Sequence, residues 1–162
     1  MVVDVRDVRV PVKQRLRAAL SRAGDADALL KTTQFGSCVF ANKPGDGSAR
    51  EQAASCQRVL GGSANICYEY ATKRYRSNCV NWGLLPFTLA AGDAFDGAAG
   101  DFIYVPDVRE KVARGDEEFP AVLLQGGEKR DITLYLKNTS AEERELLLRG
   151  CLINYYAAKA VN

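Results

Sequence analysis

The feature that most constrains this chain is a glycine turn set between an apolar pentad and a helix start. Ser37-Cys38-Val39-Phe40-Ala41 has the composition of a buried strand. Pro44-Gly45-Asp46-Gly47 cannot continue it, and its two glycines permit positive φ and a close approach of backbone to a ligand. Ser48 then stands where a helix N-cap belongs. Glu51 follows three residues on, so Ser48-Ala49-Arg50-Glu51 reads as a capping box. Strand, turn and helix start gather free amides, the positive end of a helix dipole and Arg50 about one hydroxyl, an arrangement to which anions bind. The same residues admit a plainer reading, in which Asp46-Gly47 is an ordinary turn and Ser48 only a cap, contributing ~1 kcal/mol.

Helical spacing extends the motif over residues 49–60, with Ala53, Cys56 and Leu60 facing inward and Gly61-Gly62 as the stop. Residues 34–41 form the strand before it and residues 64–70 the strand after it. Such a strand–helix–strand unit favours a parallel pair with a right-handed crossover. A second helix over residues 71–82 ends at Gly83, with Tyr75, Asn78, Cys79 and Trp82 on one core-facing side. Pro86 restricts any strand in residues 84–89 to a short or edge one. Past an Ala/Gly/Asp-rich surface loop at residues 90–100 come a strand at 102–105 and a helix at 108–114. Residues 121–125 and 131–136 flank Gly126-Gly127 as a β-hairpin. Ser140-Ala141-Glu142-Glu143 repeats the capping-box pattern without a preceding Gly-x-Gly, and is assigned a structural role only. Its helix closes at Gly150, and residues 151–156 are apolar enough to dock on the core. Ahead of the motif, residues 2–10 suggest a short strand and residues 12–23 a helix closing at Gly24.

A length of 162 residues argues for one domain, able to bury roughly two-thirds of its unfolded surface. The net charge of +2 selects no nucleic-acid partner, and the basic residues between 13 and 22 have no interleaved aromatics, so they read as a solvated face. No apolar run reaches the ~20 residues of a membrane span. The acids and arginines at residues 4–9 are not those of a signal peptide, and the expected compartment is the cytoplasm. Five cysteines, an odd number without Cys-x-x-Cys, read as free thiols; Cys38, Cys56, Cys67 and Cys79 are expected to be mostly buried, reduced and metal-free. The complete lack of histidine excludes Ser-His and Cys-His nucleophilic pairs and histidine-containing zinc sites within this chain.

Gly45-Asp46-Gly47-Ser48-Ala49-Arg50-Glu51-Gln52-Ala53 resembles the aconitase-family signature Gly-x-Gly-Ser-Ser-Arg-Glu-His-Ala. A second block, Asn78-Cys79-Val80-Asn81-Trp82-Gly83-Leu84-Leu85-Pro86, is similar to the family's Asn-x-x-x-x-Gly-Leu-Leu-Pro. The two blocks stand in the family's order, and the resemblance covers about residues 36–87. It implies the C-terminal swivel domain of an aconitase, or the small subunit of isopropylmalate isomerase. The implied fold is α/β, a swivelling β/β/α domain with a mixed sheet and flanking helices. It would span residues 1–162 as a single domain, with residues 1–31 a divergent or incomplete start.

By resemblance, the activity is dehydration and rehydration of a di- or tricarboxylate. Ser48 is the implied base, acting as an alkoxide, and Arg50 the implied carboxylate ligand, with Gly45, Gly47 and Ala49 lining the substrate. A serine alkoxide is credible only in a dry site where amides and a guanidinium stabilise the anion. The implied Lewis acid is a [4Fe–4S] cluster on a partner domain or large subunit, and this chain alone would bind no cofactor and turn nothing over. Ala49 and Gln52 stand where the family pattern has serine and histidine, which bears on the substrate more than on the reaction. Two rival readings remain: a non-catalytic, degenerate swivel domain that binds carboxylates or regulates a partner, and an RNA-binding module resting on scattered N-terminal arginines.

Overall fold

The computed structural model describes residues 12–160, and the strand expected over residues 2–10 lies outside them. Two helices come first, α1 (Val12–Leu20) and α2 (Ala26–Thr32), where the periodicity predicts one. Asp25 separates them. Its carboxylate accepts from the amides of Asp27 (3.0 Å) and Ala28 (3.4 Å) and so starts a new helix. Buried Ala19 and Leu20 of α1 pack against Phe102 and Leu124 of the sheet.

The expected strand–helix–strand unit is present as β1 (Ser37–Ala41), α3 (Arg50–Val59) and β2 (Gly62–Cys67), with the two strands parallel and Val39 opposite Asn65. A second such unit follows. α4 (Lys73–Asn81) leads to β3 (Leu85–Thr88), which lies parallel to β2 with Ile66 opposite Phe87. The remaining elements are β4 (Phe102–Tyr104), α5 (Val108–Arg114), the β5 (Glu118–Gln125) and β6 (Glu128–Tyr135) hairpin, α6 (Ala141–Arg149) and α7 (Leu152–Ala160). Gly126 and Gly127 make the two-residue hairpin turn, both at positive φ. The strands order as β1-β2-β3-β6-β5-β4, parallel on one side and antiparallel on the other. This is the mixed sheet with flanking helices that the sequence implies.

β3 is short, as Pro86 requires, and lies inside the sheet between β2 and β6. β6 pairs with it only at Thr88, so at Pro86 the strand has a single paired neighbour and the missing amide hydrogen is tolerated. Two local expectations need correction, the first of them the face of α3. Ala53, Cys56 and Leu60 point outward, and the buried residue is Ala54, against Tyr75, Cys79 and Leu84. The inward side of α3 is polar instead: Gln57 Nε2 donates to the Ala64 carbonyl (3.1 Å) and Arg58 Nη1 to the Gly62 carbonyl (2.9 Å). Second, Cys56 is consequently exposed, whereas Cys67 and Cys79 are buried and Cys38 is half-buried, all as free thiols. The docking expected of residues 151–156 is made mainly by Tyr155, while Ile153 and Tyr156 of α7 stay exposed.

Among the described residues, no helix is long and apolar enough to cross a membrane.

Candidate functional site

The turn between β1 and α3 is laced to the β2–α4 connection. The Tyr68 and Glu69 amides donate to the Asn42 carbonyl (3.2 and 3.3 Å), and the Ala71 amide to the Pro44 carbonyl (2.9 Å). The Gly45 carbonyl accepts twice, from Thr72 Oγ1 (3.0 Å) and from Arg50 Nε (3.0 Å). The same Thr72 hydroxyl caps α4 by accepting from the Tyr75 amide (3.2 Å). Gly45 sits at φ +94°, and a Cβ there would fall 2.5 Å from the Tyr75 ring, so no side chain fits. Gly47 differs. Its φ is not positive, and a Cβ there would meet no atom within 4 Å. The turn therefore needs one of its two glycines for its own fold.

Ser48 stands exposed two residues ahead of the first residue of α3, at the end of the turn that follows β1. The capping box expected there does not form. The N-cap is Ala49, which offers no side-chain bond, and the Ser48 hydroxyl makes no hydrogen bond among the described residues. At Ser140 the same Ser-Ala-x-Glu pattern does close, with Ser140 Oγ accepting from the Glu143 amide (3.1 Å) and Glu143 Oε2 from the Ser140 amide (3.1 Å). Identical chemistry thus has two outcomes in one chain. The reason lies on α4. With the Asn78 amide turned to satisfy its surroundings, its oxygen accepts from the Glu51 amide at 3.1 Å. Its nitrogen donates to Glu51 Oε2 (3.3 Å) and to the Arg74 carbonyl (3.2 Å), and Trp82 Nε1 donates to Glu51 Oε1. The helix start is capped from a neighbouring helix, and Glu51, which a box would bend back toward Ser48, is held by Asn78 and Trp82.

The two sequence blocks therefore meet in space: Asn78 and Trp82 of the second hold Glu51 of the first. The sequence reading placed both only as core packing. The signal available was the asparagine that opens the second block.

Arg50 is partly engaged. Besides the Gly45 carbonyl, its Nη2 reaches the Asp46 carbonyl at 3.4 Å, which leaves Nη1 without a partner among the described residues. Its guanidinium ties the turn to the first residue of α3, and the remaining edge of the fork can still take a carboxylate.

Beneath the turn lies a buried polar shelf. Asn65 Nδ2 donates to the Tyr75 hydroxyl and to Cys79 Sγ, each at 3.3 Å, and Gln57 donates to Asn65 Oδ1. Desolvation pushes Tyr75 up to about 12 and the Cys67 and Cys79 thiols up to about 11. Burial also raises the Tyr70 hydroxyl, beside Cys67. These groups stay protonated at neutral pH, so the shelf supports the turn and supplies no nucleophile. Among the described residues no three His, Cys, Asp or Glu side chains are grouped to hold a metal.

Comparison with known proteins bears on the fold and on the span that holds the two blocks. A family model described as the aconitase C-terminal domain matches residues 20–92, which contain both blocks. A solved structure of 3-isopropylmalate dehydratase from Methanocaldococcus jannaschii superposes with a TM-score of 0.56 and 25% identity. The alignment covers 95% of this chain and 82% of that one. Together these matches support an aconitase-type swivel domain. The mixed six-stranded sheet is consistent with that fold. No curated protein sequence matches the chain.

Of the signature residues, Gly47, Ser48 and Ala49 are exposed and Gly45 and Arg50 half-buried, in one turn and helix start. Three cavities among the described residues have neither Ser48 nor Arg50 in their walls. One, of about 270 Å³, lies over the sheet against Cys38, Ile66 and Phe87; another, of about 570 Å³, is walled by Phe95, Pro120 and Ile132; the third is at the far end of α3.

Proposed function

We propose that the swivel domain delivers Ser48 as the base and Arg50 as a carboxylate ligand to a site that a second domain or subunit completes. The observation that carries this reading is the release of the Ser48 hydroxyl from capping, while the same pattern at Ser140 is fully used. Ser48 sits at the N-terminal end of α3, where the helix dipole and Arg50 favour negative charge. The amides of Gly47, Ser48 and Ala49 make no backbone hydrogen bond among the described residues, and they are the groups available to an oxyanion.

Water has free access to Ser48 in this chain, and an alkoxide does not persist in water. The dry wall must come from elsewhere. The partner is read as an aconitase-type, cluster-binding domain or large subunit. Its [4Fe–4S] cluster would supply the Lewis acid for the departing hydroxyl. The substrate class is a small di- or tricarboxylate, with one carboxylate held by the free edge of Arg50 and a carbon-bound proton facing Ser48. Gly47 has open space where a Cβ would stand, so substrate or partner can approach its backbone closely.

The test is reconstitution. The purified chain, the cluster-binding partner and the mixture are each given dicarboxylate and tricarboxylate hydroxy acids, and formation of the unsaturated acid is followed by its ultraviolet absorbance. Turnover by the mixture alone supports the reading; turnover by this chain alone contradicts it.

One observation favours a second reading, a degenerate domain that binds without catalysis. Arg50 already spends two of its donors on the Gly45 and Asp46 carbonyls, a structural use of the fork. Carboxylate binding by the assembled pair without any turnover would establish that reading instead.

A further inference from the structure

α3 carries its polarity inside out. Gln57 and Arg58 point to the sheet and bond to the Ala64 and Gly62 carbonyls, while Ala53, Cys56, Val59 and Leu60 face solvent. Val59 is 80% and Leu60 82% exposed, the most exposed large apolar side chains described. A helix whose apolar side faces water is unusual for a surface helix, where the apolar stripe covers the core.

α3 ends beside a depression of about 320 Å³ that Arg58, Gln34 and Asn154 help to line. The floor is apolar, with Leu85, Val112 and Leu147. The charged lining is arginine throughout: Arg58, Arg109 and Arg149, with no carboxylate among the lining residues. Among the described residues, Arg58 and Arg109 bond to the Gly62 and Leu148 carbonyls, and of the three arginines Arg149 has an acidic partner, Glu145. An apolar floor and arginines, two of them without an acidic partner among the described residues, beside the exposed Val59 and Leu60 fit a segment that brings both carboxylates and apolar side chains.

We propose that this depression and the outer face of α3 seat an acidic, apolar segment of the cluster-binding partner. The inference rests on the functional reading above for the identity of that partner. Continuity supports it: Ala49, Ala53, Cys56 and Leu60 follow one another at intervals of four, three and four residues along the exposed side. One partner that covers Ser48 can therefore run along the helix, about 15 Å over ten residues, to the arginines. The arginines then steer and register the encounter, and the apolar floor with Val59 and Leu60 holds it.

The experiment titrates this chain into its cluster-binding partner at low and high salt, with the variants Leu60→Asp and Arg109→Glu. Neither residue touches the Ser48 turn, and Leu60 supports nothing in the core. Each variant is expected to weaken assembly about tenfold or more, with turnover restored at saturating partner; Leu60→Asp should keep the wild-type melt, and Arg109→Glu should melt only slightly lower for its lost bond to the Leu148 carbonyl. Arg109→Glu should also flatten the salt dependence. Assembly unchanged in both variants overturns the docking surface and leaves the functional reading standing. A wild-type chain that does not assemble at all overturns both. Citrate alone serves as the probe for a small anion: if it binds the isolated chain, and Arg109→Glu abolishes that binding without touching assembly, the depression is a small-anion site and the docking proposal is wrong.

Discussion

Replacing Ser48 by alanine should leave the fold almost untouched, and replacing Ser140 by alanine should not. At Ser140 the hydroxyl accepts from the Glu143 amide, and its loss leaves that donor orphaned at the start of α6. Such losses cost ~1 kcal/mol, or a fall in Tm of about 2–4 °C for a chain of this length. At Ser48 no hydrogen bond is lost, the side chain is exposed, and the expected change is within ~0.5 kcal/mol. Asn78→Ala reverses the logic. It removes the acceptor of the Glu51 amide and two further hydrogen bonds from a half-buried position, so about 2 kcal/mol and a fall of about 4–8 °C are expected. The assay is a thermal melt of the three variants beside the parent, at one pH and salt. A Ser48→Ala melt as low as that of Ser140→Ala would show that Ser48 caps α3 in solution, and the argument for a freed hydroxyl would fail.

The two signature glycines should separate in the same melts: Gly45→Ala should cost about 2–4 kcal/mol from its positive φ and its approach to Tyr75, while Gly47→Ala should fold normally. A thiol reagent added to the native chain should modify Cys56 quickly and Cys67 and Cys79 only after unfolding, which mass mapping of the labelled sites will show. Stability should fall in alkali. Cys38 at about 12, and Cys67 and Cys79 at about 11, hold protons in the folded chain that the unfolded chain releases near 9. Their stabilising contribution is therefore complete below about pH 9 and is lost as pH climbs through 11–12. A melt that stays flat from pH 8 to 11 would contradict the buried, protonated thiols.

Where the chain's signals are local, the sequence is enough. The glycine pair at Gly126 and Gly127, the box at Ser140 and the stop at Gly150 each act within a few residues, and each element forms where its pattern stands. The failures come from long-range competition. Ser48 and Glu51 carry the same pattern as Ser140 and Glu143, but α4 brings Asn78 and Trp82 to Glu51 across about 30 residues of sequence and takes over the cap. No local rule contains that contact. The inward side of α3 was misread because Ala53, Cys56 and Leu60 are its apolar periodicity, whereas Gln57 and Arg58 find carbonyls on β2. Position in the glycine turn and the identity of Ser48 and Arg50 were legible from residue type and order. That Gly45 alone is required by the fold, and that Arg50 is half spent on the turn, needed coordinates.

The central claim is that Ser48 acts chemically and Arg50 binds, and kinetics of the assembled pair test it most directly. kcat and KM are measured for Ser48→Ala and Arg50→Lys with the cluster-binding partner at saturation. Loss of the base should lower kcat by roughly 10²–10⁴-fold with KM little changed. Arg50→Lys keeps the charge and loses the fork, so KM should rise as kcat falls. Ser48→Ala turning over at the parent rate would contradict the account.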